Sequence, residues 1–229
     1  MSDPTEIARI ARGTRFFYGP RTLASLLVLV GVAGCTEPRP RPVEELVRQE
    51  GIFLDPKTME PYTGPVFATF ANQPQVIEHR LRLRNGTYHG PFEAYFANRQ
   101  LSSKEIYQGG IKDGPYEWYF ENGHIFERGT YHEGRLDGPY EGYWDDNALY
   151  EEGTYHHGEF DGPRRWYLDG KLIELVTYQN GVMEGLYERY NEDRTLDLKG
   201  MLAAGSPCGM WLEDDRTITY PACGTPLDD

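Results

Sequence analysis

The sequence is short of positive charge. It holds 23 Lys plus Arg against 36 Asp plus Glu, a formal net charge of −13. Binding a phosphate backbone needs a basic face, so nucleic acid is excluded as a partner. The same deficit opposes adhesion to anionic lipid headgroups. Long apolar runs are also scarce. Leu23–Val32 (LASLLVLVGV) is a run of ten, against the ~20 residues that a spanning helix needs. Signatures of catalysis are missing: there is no G-x-S-x-G, no Walker loop and no H-E-x-x-H. No D-x-D-x-D-G calcium loop occurs either. Cysteine is rare, with Cys35, Cys208 and Cys223 the three present.

What is plentiful is glycine, tyrosine and proline, at 26, 17 and 16 residues. A hydrophobic fraction of 39% with 14% aromatics argues against disorder. Tyrosine-rich strands broken by glycine turns fit an all-β array better than a helical core.

The chain is organised around a string written twice. Residues 113–136 read DGPYEWYFENGHIFERGTYHEGRL, and 137–160 read DGPYEGYWDDNALYEEGTYHHGEF, with 12 of 24 positions identical. The anchoring glycine recurs at Gly64, Gly90, Gly114, Gly138, Gly162, Gly185 and Gly209, in steps of 23 to 26 residues. Such a period is the mark of a repeat architecture. Within each copy a strand follows the anchor (Tyr116–Phe120, Tyr140–Trp144), and a tight turn leads to a second strand ending at Tyr107, Tyr131, Tyr155 or Tyr178. Gly86, Gly110, Gly134, Gly158, Gly181 and Gly205 then mark a second turn. Each copy therefore reads as one β-hairpin. The expected fold is an elongated, single-layer antiparallel meander of hairpins with no helical domain. Residues 51–212 form the array and 213–229 a C-terminal cap.

These copies resemble MORN repeats (membrane occupation and recognition nexus), in the bacterial variant often labelled an antitoxin-type repeat. That variant is similar to G-P-x-E-x-Y-Y-x-N-G-x-L-x-x-E-x-x-Y-x-x-G-x-x-D-G. Gly114–Gly138 and Gly138–Gly162 match it well, and about residues 59–212 match it at least loosely. The resemblance implies an extended sheet and an interaction role. The G-x-G that closes the eukaryotic type is absent, so lipid binding by the repeats is not carried over.

Residues 1–34 read as a signal peptide. Arg9, Arg12, Arg15 and Arg21 precede the apolar run, and Val32-Ala33-Gly34-Cys35 follows it. This segment resembles a bacterial lipobox. The resemblance implies cleavage before Cys35, acylation of its thiol, and stable attachment through two or more chains. Thr36 in place of Asp favours the outer membrane by the same resemblance. Residues 35–50 then form the anchor and a tether. Pro38, Pro40 and Pro42 favour polyproline II, and Val43–Glu50 has the apolar spacing of a short helix able to cap the first repeat.

The candidate binding face is read from strand alternation. Glu93, Glu117, Glu141 and Glu188 recur after the anchor, with Arg165 in the fourth copy, beside Tyr95, Tyr119, Tyr143, Tyr167 and Tyr190. Charges with aromatics suit an interface, and a merely solvated row that keeps sheets from stacking is the other reading. Arg80, Arg82 and Arg84 share a face, with Leu81 and Leu83 opposite, and cross-strand pairing with Glu93 is expected. His89, His132, His156 and His157 lie in or beside turns. Zinc needs three or four ligands converging at about 2.1 Å. Equivalent histidines stand a repeat apart, so neither a metal nor a cofactor is expected. Cys208 and Cys223 are expected to pair in an oxidising envelope, closing a loop of about 15 residues worth about 3 kcal/mol; two free thiols are the alternative.

The function expected is that of a lipid-anchored, non-catalytic envelope protein. It would act as a scaffold that binds a protein or an envelope component. An immunity or antitoxin protein neutralising one toxin is a second reading, and a hydrolase of envelope polymers a third.

Overall fold

A computed structural model describes residues 38–214 and 216–224. The expected signal segment 1–34 with Val32-Ala33-Gly34, the expected lipidation site Cys35, and residues 225–229 of the expected cap lie outside these. Among the described residues there is no α-helix, and no helix long and apolar enough to cross a membrane.

The array is a succession of seven hairpins. They are Gly64–Phe70 with Gln73–Arg84, Thr87–Tyr95 with Leu101–Gln108, Gly114–Tyr119 with Ile125–His132, Gly138–Tyr143 with Leu149–His156, Gly162–Leu168 with Lys171–Gln179, Val182–Tyr190 with Leu196–Ala203, and Ser206–Glu213 with Arg216–Thr219. Each strand pairs antiparallel with its neighbours in sequence, so the seven join into one meandering sheet. The expected all-β meander is the observed fold.

Turn chemistry fixes the register. At the hairpin tips Phe96, Phe120, Trp144 and Asn191 each donate an N–H to the carbonyl four residues on. Asn98, Asn122, Asp146 and Asp193 accept from the backbone N–H two residues on, the Asx pattern that makes these residues turn formers. The turns between hairpins carry two residues of positive φ, such as Glu133-Gly134 at 49° and 82°. That is the type I′ geometry, whose twist matches the flanking strands. The turn glycine also ties neighbouring repeats together: Gly134 N–H donates to Lys112 O and Gly158 N–H to Leu136 O, both at 2.8 Å.

The anchor glycine is not a turn residue. The strand begins before it, as Ile111–Lys112 or Arg135–Leu136, and the Asp-Gly-Pro sequence is a bulge inside the pairing. Between the pairs Tyr131–Leu136 and Arg128–Glu141 one strand advances by three residues and its partner by five. The surplus bends and twists the strand at the same place in every repeat. Gly138 sits there at φ 118°, a conformation that a side chain disfavours.

The N-terminal cap departs from the short helix that its spacing suggests. Only Val43–Glu45 is helical, as one 3-10 turn, and Val47–Gln49 pairs with Ile52–Leu54 in a small separate hairpin. Two turns of isolated helix are too short to be stable, whereas Glu50-Gly51, at φ 50° and 83°, makes the same type of tight turn used throughout the array. The capping role survives. Leu46 is buried with Val66, Leu81 and Leu83. Arg41–Pro42 pairs parallel with Val66–Phe67 and covers the first edge of the sheet. The end of the tether is thus part of the fold.

At the other end Val176, Tyr178, Leu202 and Trp211 form a second cluster. Trp211 lies over Gly200, where a Cβ would fall 2.1 Å from its ring. The Cys208–Cys223 disulfide is formed, with Cα atoms 4.9 Å apart. Between the two ends the buried side chains are tyrosines and glutamates, Tyr116 at 1% exposure and Tyr140 at 8%, with Glu105 and Glu151. Tyr116 fits because the residue opposite is Gly129, where a Cβ would stand 2.8 Å from its ring.

Candidate binding face

Alternation gives the sheet two chemically different faces. One carries the expected Glu/Tyr row. Tyr95 donates its hydroxyl to Glu93 at 2.6 Å, and Tyr190 to Glu188 at 2.6 Å. Tyr119 and Tyr143 make the same bond to Glu117 and Glu141. In the fifth hairpin, where Arg165 replaces Glu, Tyr167 turns to Glu152 on the paired strand at 2.8 Å. In the other four the bond joins residues two apart on one strand, which share a face by the period of two.

Each carboxylate also meets a cation from a neighbouring strand. Arg80 reaches Glu93 at 2.6 Å, Lys104 reaches Glu117 at 3.9 Å, and Lys199 reaches Glu188 at 2.8 Å. Arg128 pairs with Glu141, and Arg165 with Glu152 at 3.4 Å. Arg165 therefore reverses one rung of the ladder and leaves the ladder intact. The row is charge-balanced within itself. Glu93 is held below the usual carboxylate range chiefly by the Tyr95 hydroxyl, then by Arg80. Glu188 is lowered chiefly by Lys199, then by Tyr190. Burial and the bond to Glu93 push Tyr95 up to about 12. The expected pairing of Arg80 with Glu93 is present, and Leu81 and Leu83 are buried on the opposite side.

Beside the ladder runs a groove that the sequence reading did not single out. Its rim is the residue after each anchor glycine, proline in the first five copies and Leu186 and Met210 in the last two. Pro115 faces Thr130 and Pro139 faces Thr154 across the strands, while Pro91 faces Ile106. Lys104, Ile106, Pro115, Thr130 and Pro139 line a stretch of about 410 Å³. Phe67, Ile77 and Pro91 line one of about 390 Å³ nearer the N-terminus. Pro139, Thr154, Pro163 and Arg165 line one of about 190 Å³. Leu186, Met201, Met210 and Leu212 line a fourth of about 340 Å³, where Met210 is 74% exposed. The available signal was the position of the proline: it stands two residues before Glu93, Glu117 and Glu141, hence on their face.

The opposite face holds a second row of carboxylates, Glu105, Glu127, Glu151 and Glu174, built into the aromatic layer. Tyr116 donates to Glu127 at 2.6 Å, and Tyr140 to the same carboxylate at 3.4 Å. Tyr187 donates to Glu174 at 2.7 Å. Glu105 accepts from Lys112 at 2.9 Å, Tyr107 at 2.7 Å and Trp118 at 3.0 Å. Burial raises Glu105, but these three donors outweigh it and hold the group lowered. Glu151 is paired with Arg164. Burial first, then the Glu127 carboxylate, drives the phenol of Tyr116 strongly upward. No buried side-chain nitrogen or oxygen among the described residues is without a partner. Paired and buried carboxylates of this kind suit structure better than acid–base chemistry. Identity of Glu127 and Glu151 in the doubled string was the signal for them.

The histidines divide. His132 pairs with Asp113 at 3.5 Å, a repeat away from its equivalent His156, as the spacing suggests. His156 and His157, adjacent in the chain, both approach Asp137.

A family model described as a MORN repeat variant matches residues 112–133 and 163–180. The first match spans the whole third hairpin, and the second spans the fifth except for Gly162. Those two segments thus carry MORN-variant repeats, and the other hairpins share their sheet geometry. No curated protein matches the chain.

Proposed function

We propose that this protein is a non-catalytic binding scaffold held at a bacterial envelope membrane by lipid on Cys35, and that the proline-rimmed groove is where its protein partner docks. The observation that carries the reading is the recurrence of the groove beside a charge-balanced ladder over four stretches of the same face, three of them with a mainly apolar floor. An apolar floor offers burial to a partner, and a rim of paired charges gives register without a large desolvation cost. The ladder itself is a rim contact and supplies little affinity, because its carboxylates already have partners. Attachment rests on the resemblance of Val32-Ala33-Gly34-Cys35 to a lipobox. The net charge of −13 makes a lipid anchor the better route to the membrane than headgroup contact.

The test has two arms. Cys35→Ala in the full chain is expected to release the protein from the membrane fraction and to let the unprocessed form accumulate; continued membrane attachment with normal processing defeats the anchor. Pro139→Arg places a charged chain between two stretches of the groove without touching the core. Capture of envelope proteins by the full chain, identified by mass spectrometry, is expected to lose a specific partner in that variant. Undiminished capture defeats the groove.

A further inference from the structure

One group of side chains lies apart from both faces, at the turn edge of the sheet. His156 closes the strand Leu149–His156, and His157 opens the tight turn that follows, at φ 54°. Asp137 comes from the bulge of the same repeat's first strand. The backbone N–H of His157 donates to Asp137 Oδ2 at 3.2 Å and fixes the carboxylate against the turn. Nδ1 of His156 lies 3.5 Å from that oxygen, and Nδ1 of His157 lies 3.6 Å from it. One donor atom from each of the three residues falls within 4.8 Å of the other two. The two imidazoles lie against each other at 4.0 Å between centroids, tilted by 40°.

These separations are the edges of a coordination polyhedron. Ligand atoms about 2.1 Å from a tetrahedral cation stand about 3.4 Å from one another. The three groups thus need only small side-chain rotations to share one ion. Two hydrogen-bonded pairs would satisfy the same distances, so the neighbouring repeats are the informative contrast. At the equivalent position the preceding repeat has Asp113 and His132, but Glu133 where His157 stands. The following repeat has Asp161 with Gln179 and Asn180, and no imidazole. The framework of bulge aspartate and turn is common to the three copies that begin at Asp113, Asp137 and Asp161, and the second histidine is peculiar to one of them. Among the described residues this is the one group of three that could hold a metal ion.

We propose that Asp137, His156 and His157 form a binding site for a divalent transition-metal ion of zinc type. Two imidazole nitrogens with one carboxylate select zinc, copper or nickel over magnesium and calcium, which take oxygen sets. Three protein ligands leave a position open for water or for a donor from a bound partner. The ion would tie the bulge of one strand to the turn after the next strand. It would thus stiffen the edge of the best-preserved pair of repeats. This site stands on its own residues and does not depend on the groove.

The experiment uses the full chain purified in detergent and stripped with chelator. Titration with Co²⁺ is expected to give the visible d–d bands of a low-symmetry site at one ion per chain, abolished by added Zn²⁺. His157→Glu, which copies the preceding repeat, and Asp137→Asn are each expected to weaken Zn²⁺ at least about tenfold, since even loss of an outer partner of a ligand costs that much. His132→Ala is expected to leave the affinity unchanged. Both ligand residues have exposed or half-exposed side chains, and circular dichroism checks that each variant keeps its sheet. The proposal is overturned by absence of the Co²⁺ bands, by unchanged affinity in His157→Glu and Asp137→Asn, or by equal loss in His132→Ala.

Discussion

The two ends of the array are built differently from its middle. The ends bury aliphatic and tryptophan side chains: Leu46, Val66, Leu81 and Leu83 at one, Val176, Leu202 and Trp211 at the other. The middle buries phenols against carboxylates, as in Tyr116 and Tyr140 on Glu127. An inner repeat has an equal neighbour on both sides, so Tyr116 and Tyr140 both find the carboxylate of Glu127 one strand away. A terminal repeat has no such neighbour on one side. It must be closed by apolar burial, and at the C-terminal end also by a covalent staple.

The contrast breaks most completely at high pH. Twelve tyrosines have raised values in the fold, chiefly through burial and often through a carboxylate acceptor. Tyr155 and Tyr187 rise to about 12, and Tyr116 and Tyr140 rise further. The unfolded chain loses these protons near pH 10. Their stabilisation is therefore complete below pH 10 and is lost as pH climbs through the folded values. The expected result is cooperative alkaline unfolding in which tyrosinate absorbance and loss of sheet coincide. Hydrogen exchange should show residues 113–160 opening before 64–84. Tyrosinate forming gradually in an intact sheet would show that the phenols are not buried as described.

At neutral pH the largest effect is expected at the ends. Leu83 has no exposed surface, and Leu83→Ala should cost about 2–5 kcal/mol, the range for a buried leucine that leaves a cavity. Denaturant titration reads this directly. Cys208→Ser should cost about 3 kcal/mol in the chain-entropy account. Its loss of exchange protection should be confined to residues after about Leu196. If both substitutions loosen the middle hairpins equally, the array is one cooperative unit and the caps have no special role.

The repeat, the meander, the disulfide and the paired Arg80 were legible in the sequence because each follows from period, alternation or turn chemistry. The bulge at Asp-Gly-Pro was not. A glycine followed by proline reads equally as a turn, and only the register between Tyr131–Leu136 and Arg128–Glu141 tells them apart. The carboxylate row was located correctly, but its cation partners come from other strands at sequence distances of 11 to 13 residues. Those distances depend on that same bulge. The groove and the His156–His157–Asp137 group were hidden for the same reason: proline and aspartate in the bulge acquire their neighbours through pairing.

The smallest effect is the sharpest comparison, because the chemistry is held constant and only the face changes. Tyr116 and Tyr119 lie on one strand and each donates to a glutamate. Tyr116 is buried and shares Glu127 with Tyr140 at the longer distance of 3.4 Å. Removing its hydroxyl leaves a half-buried carboxylate with one weak donor, and Tyr116→Phe should cost about 1–3 kcal/mol. Tyr119 lies on the ladder face, where Glu117 keeps Lys104 at 3.9 Å and can also turn to water. Tyr119→Phe should cost less than about 1 kcal/mol. Equal losses in the two variants, measured by denaturant titration in one buffer, would mean that the ladder face is as desolvated as the aromatic face. The groove beside it would then be covered in the free protein.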